Sequence, residues 1–144
     1  MNVINTIQGN LAPMTREPVE LELANVAKRI LREFGERKNH FEMDLFADPV
    51  WLILLDLYAH NSTGKSVSVS SLCIASWAPP TTALRWIKLM ASRGLIEKFN
   101  DPTDGRRVYV NLSKASFEKM TAYLRCISRE GALSLADESM PGTA

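Results

Sequence analysis

A polar segment at residues 101–107 carries the charged side chains whose spacing is most informative. It reads Asp-Pro-Thr-Asp-Gly-Arg-Arg, with Asp104 two positions before Arg106 and with Arg107 following. A carboxylate at that spacing can hold the arginine or accept backbone N–H bonds that stiffen the loop. A guanidinium on such a tip suits the narrow, negative minor groove of duplex DNA. The alternative interpretation is an ordinary polar turn with a surface ion pair.

A second group of candidates lies at the start of a helix predicted over residues 81–93. Apolar residues at steps of three and four predict that Trp86, Ile87 and Met90 face the core. The opposite face then carries side chains suited to phosphates and base edges, and Leu84 there suits a thymine methyl group. The candidates of this group are Thr81, Thr82, Arg85 and Lys88, with Ser70 on the preceding short helix.

Each of these candidates also has a structural interpretation. The threonine and serine hydroxyls are common helix caps. The structural alternative for Arg85 and Lys88 is a solvated helix face. For Leu84 and Leu89 it is a contact with a neighbouring chain.

The elements that must position these residues follow from periodicity. Alternating apolar residues predict two strands, 95–100 and 107–112, joined by the polar tip into a β-hairpin. Amphipathic or apolar periods predict helices over 19–38, over 49–60 after the capping pair Asp48-Pro49, and from Ser113 to about Arg129. A minimal strand at 66–68 precedes a short helix that Ser68 or Ser70 caps. That short helix is predicted to carry Leu72, Ile74, Ala75 and Trp77 before Pro79 and Pro80.

This order of elements is the winged helix-turn-helix layout, a mainly α fold with a small β-hairpin wing. With 144 residues the chain fits one domain, predicted over 19–130, with a DNA-binding lobe at about 48–113. Residues 1–18 are predicted to form a partly ordered arm and residues 131–144 a flexible tail. The helices at about 19–38 and 113–130 carry apolar stripes that predict a dimerisation region.

The charge distribution favours a nucleic-acid partner more than the total charge does. The whole chain carries +1, whereas residues 77–114 hold seven basic and three acidic residues, a net +4. The N-terminus lacks the pattern of a secretory signal and no apolar run is long enough to span a bilayer, so we expect a cytoplasmic protein. Cys73 and Cys126 form no CxxC pair, which argues against a zinc or disulfide scaffold.

The wing segment resembles that of the MarR family of bacterial transcriptional regulators. The resemblance rests on Gly94-Leu95-Ile96, on 101–106 and on Val110-Asn111-Leu112-Ser113, and it extends over about 48–117. Wings of that family typically read Asp-Pro-x-Asp-x-Arg before a strand that ends in Leu-Thr or Leu-Ser. The resemblance implies that Arg106 enters the minor groove and that Asp104 supports it. Gly105 stands where many members have another arginine, and the double proline before Thr81 is not a general family feature.

The resemblance also implies a symmetric homodimer, a palindromic double-stranded DNA operator and a repressor-type function. Two recognition helices of a dimer can meet successive major grooves about 34 Å apart. Family members often bind small aromatic effectors, for which Trp51, Tyr58, His40 and Phe41 are candidates here, although such residues are more often core or loop residues. Some relatives sense oxidants through cysteine, whereas a lone cysteine on an apolar face is usually a small buried hydrophobe.

Two other classes of function compete with DNA binding. An enzyme is disfavoured because no phosphate-binding glycine loop, metal triad or nucleophile motif is present, so we expect no catalytic residue, no metal and no cofactor. A winged-helix adaptor that contacts only proteins stays open, because the total charge is near neutral.

Overall fold

The computed structural model of this chain describes residues 18–42 and 48–138, with the backbone alone over 130–138. The described residues form helices α1 (Pro18–Arg37), α2 (Pro49–Asn61), α3 (Val69–Ala75), α4 (Pro80–Ser92) and α5 (Lys114–Glu138). They also form strands β1 (Val67–Ser68), β2 (Ile96–Asn100) and β3 (Val108–Leu112). Most of the predicted arm, residues 1–17, and the last residues of the predicted tail, 139–144, lie outside the described residues.

Helix α2 is the central core helix that its apolar sequence predicts. The Asp48 carboxylate accepts the backbone N–H of Trp51 at 3.3 Å, and Pro49 occupies the first helical position, where an N–H would have no partner in the helix. The helix packs against α1, α3, α4, α5 and β3. Its buried residues are Leu52, Ile53, Leu55, Leu57, Tyr58, Ala59 and Asn61.

Helices α3 and α4 form the helix-turn-helix. The Ser68 hydroxyl accepts the backbone N–H of Ser71 at 3.2 Å and caps α3, which is one of the two caps that the sequence predicts. Helix α4 begins at Pro80 and has no side-chain cap. Its buried face consists of Ala83, Ile87 and Met90.

Two apolar residues of this motif, both tryptophans, do not take their predicted positions. Trp86 is 37% exposed because it precedes Ile87, and successive helical residues point about 100° apart. Trp77 lies beyond the end of α3, in the turn, where its φ is 57°. Ile74 lies on α3 as predicted and is 80% exposed, and Leu72 is the buried residue of this seven-residue helix.

The wing is an antiparallel sheet in the order β1-β3-β2, so the predicted hairpin gains the minimal strand as a third member. Ser68 pairs with Tyr109 across β1 and β3, and Lys98 pairs with Val110 across β2 and β3. Val110, on the central strand β3, is buried, whereas its partner Lys98, on the edge strand β2, is exposed on the same face of the sheet. The two strands place the 101–107 tip at the far end of the hairpin.

Helix α5 is longer than the sequence predicts. The Ser113 hydroxyl accepts the backbone N–H of Ser116 at 3.2 Å, as expected for its cap, but the helix continues to Glu138 rather than ending near Arg129. Gly131 is the first residue of the predicted tail, yet a glycine costs a helix only about 1 kcal/mol relative to alanine. Alanine and leucine residues follow it and favour helix. The predicted flexible tail is therefore helical over residues 131–138.

Helix α1 packs against α2 and α5 and completes the core. Its buried residues Leu23, Ala24, Ala27 and Phe34 recur at the helical spacing that predicted the element. No helix in the described ranges is both long and apolar enough to cross a bilayer.

Candidate nucleic-acid interface

The wing tip presents one arginine held by one carboxylate. Asp104 Oδ1 accepts both the backbone N–H of Arg106 at 3.1 Å and the Arg106 Nε–H at 3.2 Å. The Arg106 side chain is nevertheless 93% exposed, whereas that of Asp104 is 38% exposed. The stem of the guanidinium is therefore oriented while its terminal nitrogens face solvent. The sequence predicted this contact, since the two residues are separated by a single glycine.

A second aspartate shapes the start of the tip. Asp101 Oδ1 accepts the backbone N–H of Thr103 at 2.8 Å and its hydroxyl at 2.7 Å. These hydrogen bonds, led by the backbone one, lower the pKa of the Asp101 carboxyl below its usual range, and Arg107 adds a smaller effect in the same direction. Asp101 N also donates to the Arg107 carbonyl at 2.9 Å and closes the loop. Asp101 was not among the predicted site residues, and its hydrogen bonds within the turn were not predicted.

The candidates on α4 lie on its solvent side. Thr81, Arg85 and Lys88 are exposed and Thr82 is half-buried. The helix has no side-chain cap, so neither threonine takes the capping role that was its structural alternative. Pro79 and Pro80 have no N–H group, which leaves Thr81 and Thr82 as the first donors of the helix start. The start of α4 thus offers two hydroxyls and two backbone N–H groups to a ligand.

A groove of about 1280 Å³ separates the helix-turn-helix from the wing. Ser70 lines it from α3, and Arg106 and Arg107 line it from the wing. The structure therefore brings three predicted site residues to one surface. The other five, Thr81, Thr82, Arg85, Lys88 and Asp104, do not line this groove.

Lys98 also lines the groove and was missed as a site residue. Alternation along β2 gave no signal for it, because that period places Lys98 on the same face as the buried Ile96. The only acid lining the groove is Asp56, whose pKa is raised by burial and lowered in part by His60. His60 Nδ1 lies 3.6 Å from Asp56 Oδ2. With Lys98, Arg106 and Arg107 against Asp56, the lining is net positive.

The residues considered for an effector differ in burial and in the contacts that they make. Tyr58 is fully buried, stacks on Phe117 at 4.8 Å between ring centroids and has its hydroxyl 2.9 Å from Thr121 Oγ1. Trp51 meets Tyr123 edge to face at 5.1 Å. His40 and Phe41 are exposed in the segment after α1. An effector stays a prediction.

The described part of the chain contains no disulfide and no cluster of metal-ligating side chains. Cys73 is half-buried and Cys126 exposed, and they form no disulfide. Burial raises the pKa of the Cys73 thiol, which disfavours the reactive thiolate. No group of three or more metal-ligating side chains occurs among the described residues.

The arrangement of helix-turn-helix, wing and flanking helices matches known structures. The chain has a MarR-like winged helix fold. A MepR–DNA complex of S. aureus is 16% identical with a TM-score of 0.52, covering 80% of this chain and 89% of that one. A MepR variant bound to an oligodeoxyribonucleotide is 16% identical with a TM-score of 0.53, covering 84% of this chain and 80% of that one. MepR bound to ethidium bromide is 17% identical with a TM-score of 0.51, covering 81% and 79%.

Comparison at the level of sequence gives no match: no protein-family model and no curated protein matches this chain. The likeness is therefore one of fold. The two DNA-bound MepR structures show that this arrangement of elements occurs in a protein seen with DNA.

Proposed function

We propose that this chain is a dimeric, sequence-specific double-stranded DNA-binding transcriptional regulator of the repressor type. The single observation that carries the proposal is the wing tip, where Asp104 orients an almost fully exposed Arg106 at the edge of a positively charged groove. An exposed arginine whose stem is already held loses less conformational freedom on binding a phosphate or a minor groove.

The exposed face of α4 supplies the second contact in this proposal. Thr81, Arg85 and Lys88 lie on its solvent side, where the start of a recognition helix meets the major groove. Arginine can pair with guanine through two hydrogen bonds, and lysine suits a phosphate. Helix and wing then contact adjacent grooves of one duplex, with the backbone between them facing the cationic lining. The DNA-bound MepR structures support the assignment by analogy of fold.

Dimerisation through α1 and α5 is the second part of the proposal. Leu21 on α1 and Tyr123 on α5 are large apolar residues that stay 44% and 49% exposed in the single chain. A symmetric dimer would cover such patches and would set two α4 helices about one duplex turn apart. A regulator of this kind works in the cytoplasm, where it reaches the chromosome.

Selection of duplexes from a random pool, followed by footprinting of the selected site, tests the proposal. We expect a palindrome with half-sites about one helical turn apart, bound by a particle with twice the mass of the chain in light scattering. If no duplex is enriched at low salt, the winged-helix adaptor replaces the proposed regulator. An enriched site without palindromic symmetry, bound by a monomer, would retain DNA binding and remove the dimer.

A further inference from the structure

An apolar strip lies in the groove beside the charges. Ile74 from α3 is 80% exposed, the most exposed large hydrophobic residue among those described, and Leu84 from α4 is 48% exposed. Pro80, also exposed, lines the same groove at the start of α4. We call these three residues the apolar ridge.

The core of the chain does not explain the apolar ridge. Leu72 on α3 and Ile87 on α4 already fill the core positions of these two helices, at 0% and 2% exposed. Single exposed apolar residues are common on protein surfaces and do not by themselves indicate a binding site. Here, however, two helices direct theirs into one groove, where water contacts them until a ligand arrives.

The charges around the apolar ridge indicate what that ligand is. Lys98, Arg106 and Arg107 line the same groove, against one acid, Asp56. A partner that is polyanionic and also offers small apolar groups complements both parts of the lining. Duplex DNA has this combination, because its phosphates flank a major groove in which only thymine presents a methyl group.

We propose that the apolar ridge binds thymine 5-methyl groups, so that the specific site of this protein carries thymines next to each α4 helix. The inference rests on the proposed function, since it assigns the base read by one wall of the same interface. Ile74 and Leu84 are specificity residues in this scheme, and the arginines and Lys98 supply affinity that does not depend on sequence.

Deoxyuridine tests the inference, because it differs from thymidine at this edge only by the missing methyl group. Each thymine of the selected site is replaced by deoxyuridine in turn, and binding to the unmodified protein is measured. We expect about fourfold weaker binding at each contacted thymine, the effect of one buried methyl group. Replacing thymines outside the half-sites is the control and should leave affinity unchanged.

Variants of the protein test the same contact from the protein side. Ile74→Ala and Leu84→Ala should bind the thymine and deoxyuridine sites with ratios closer to one than the fourfold ratio of the unmodified protein. Phe41→Ala is the matched control, because Phe41 is an exposed apolar residue that does not line the groove. It should keep the full discrimination. Both ridge residues are exposed, so circular dichroism should show unchanged folding.

The outcomes separate the two claims. If a specific duplex is bound and every thymine tolerates deoxyuridine, the apolar ridge inference is wrong while the proposed function stands. Discrimination that persists in both ridge variants also overturns it, as does a selected site without thymine in the half-sites. If no duplex is bound at all, the proposed function fails and the inference fails with it.

Discussion

At the scale of single residues, Asp104 at the wing tip influences both the local geometry and the net charge of the proposed interface. Asp104 adds a negative charge beside the surface that we propose to bind phosphates, and this charge by itself weakens binding to any duplex. Its carboxylate oxygen also accepts two N–H bonds from Arg106 and so orients that side chain. The two effects have opposite signs, and a substitution can separate them.

We predict that Asp104→Ala weakens binding to the selected site by about fivefold, the worth of one hydrogen bond. Electrostatics alone predicts the opposite sign, since the variant is more positive. Asp104→Asn is the control: it keeps the acceptor oxygen and removes the charge, and we expect it to bind at least as well as the parent. Fluorescence anisotropy at fixed salt measures all three proteins. Tighter binding by Asp104→Ala would show that the carboxylate acts only through its charge.

The Asp101 turn gives a prediction for pH. Because the Thr103 hydrogen bonds lower the pKa of the folded-state carboxyl, its contribution to stability is present above the ordinary value of 3.8 and is lost as pH falls through the lowered value. An NMR titration should therefore show the Thr103 amide signal moving with a midpoint below 3.8. Asp101→Asn should abolish that transition. A midpoint at or above the ordinary value would contradict the hydrogen-bonded turn.

At the scale of elements, one buried amide fastens helix α2 to the wing. Asn61 Nδ2 donates to the Lys65 carbonyl at 2.8 Å and to Asn111 Oδ1 at 3.1 Å, and Asn61 Oδ1 accepts the Leu112 N–H at 2.8 Å. All of its side-chain contacts go to the loop before β1 or to β3. Asn61 thus links the end of α2 to the wing through buried hydrogen bonds, in addition to the apolar contacts of Ile96, Val110 and Leu112 with the core.

Asn61→Ala should lower the free energy of unfolding by about 3 kcal/mol, because the buried Leu112 N–H and the buried side-chain oxygen Oδ1 of Asn111 lose these hydrogen bonds. Asn25→Ala removes an exposed asparagine of α1 and should change it by less than about 0.5 kcal/mol. Urea unfolding at neutral pH compares the two. Equal effects would mean that the wing holds its position without Asn61.

Trp77 fixes the turn of the helix-turn-helix against α1. Its ring lies 6.2 Å from that of Phe34, and Lys38 Nζ lies 4.8 Å from its centroid. Its φ of 57° is in the left-handed region, which costs a residue other than glycine about 1 kcal/mol. The ring contacts hold the turn in a conformation that the backbone alone disfavours.

We therefore predict an inverted order of stability at this position. Trp77→Gly should be about 1 kcal/mol more stable than Trp77→Ala, since both lose the ring and only glycine is relieved of strain. At Arg85, inside α4, the order should be the usual one, with the glycine variant about 1 kcal/mol less stable than alanine. Chemical denaturation of the four variants measures both differences. The same order at both positions would rule out the left-handed turn.

The sequence predicted those features of the fold that neighbouring residues determine. Asp48 and Pro49 define the start of α2, alternation defines the hairpin, and Asp104 meets an arginine two positions away. The conformation of Trp77 depends on α1, and the role of Asn61 depends on Asn111, 50 positions away. Local patterns contain no information about such partners.

The same distinction applies to the site. Exposed charges on α4 and the tip were predictable from helix and strand periods. Lys98 and Ile74 were missed because the groove forms only when α3, α4 and the wing pack together. Local patterns do not show which residues will line it. Trp86 was predicted to face the core because its spacing fits the apolar stripe of α4. In the structure the buried face of α4 consists of Ala83, Ile87 and Met90.

At the scale of the whole molecule, the proposed function requires a chain of net charge +1 to bind DNA through the placement of its charges. The basic residues of α4 and the wing are exposed. In the proposed dimer the exposed apolar residues of α1 and α5 contact a second copy of the chain. Doubling the chain doubles the number of phosphate contacts without raising the charge of the rest of the surface. Affinity for duplex should therefore depend steeply on salt.

The dependence of duplex affinity on salt tests the central claim most directly. Logarithmic plots of the association constant against salt concentration are compared for the unmodified protein, Arg106→Ala and Arg29→Ala, the last removing an exposed arginine of α1. We predict a steep negative slope for the parent, made shallower by about one unit per contacting subunit in Arg106→Ala and unchanged in Arg29→Ala. Binding that is absent at low salt, or equal slopes for the two variants, would contradict the account.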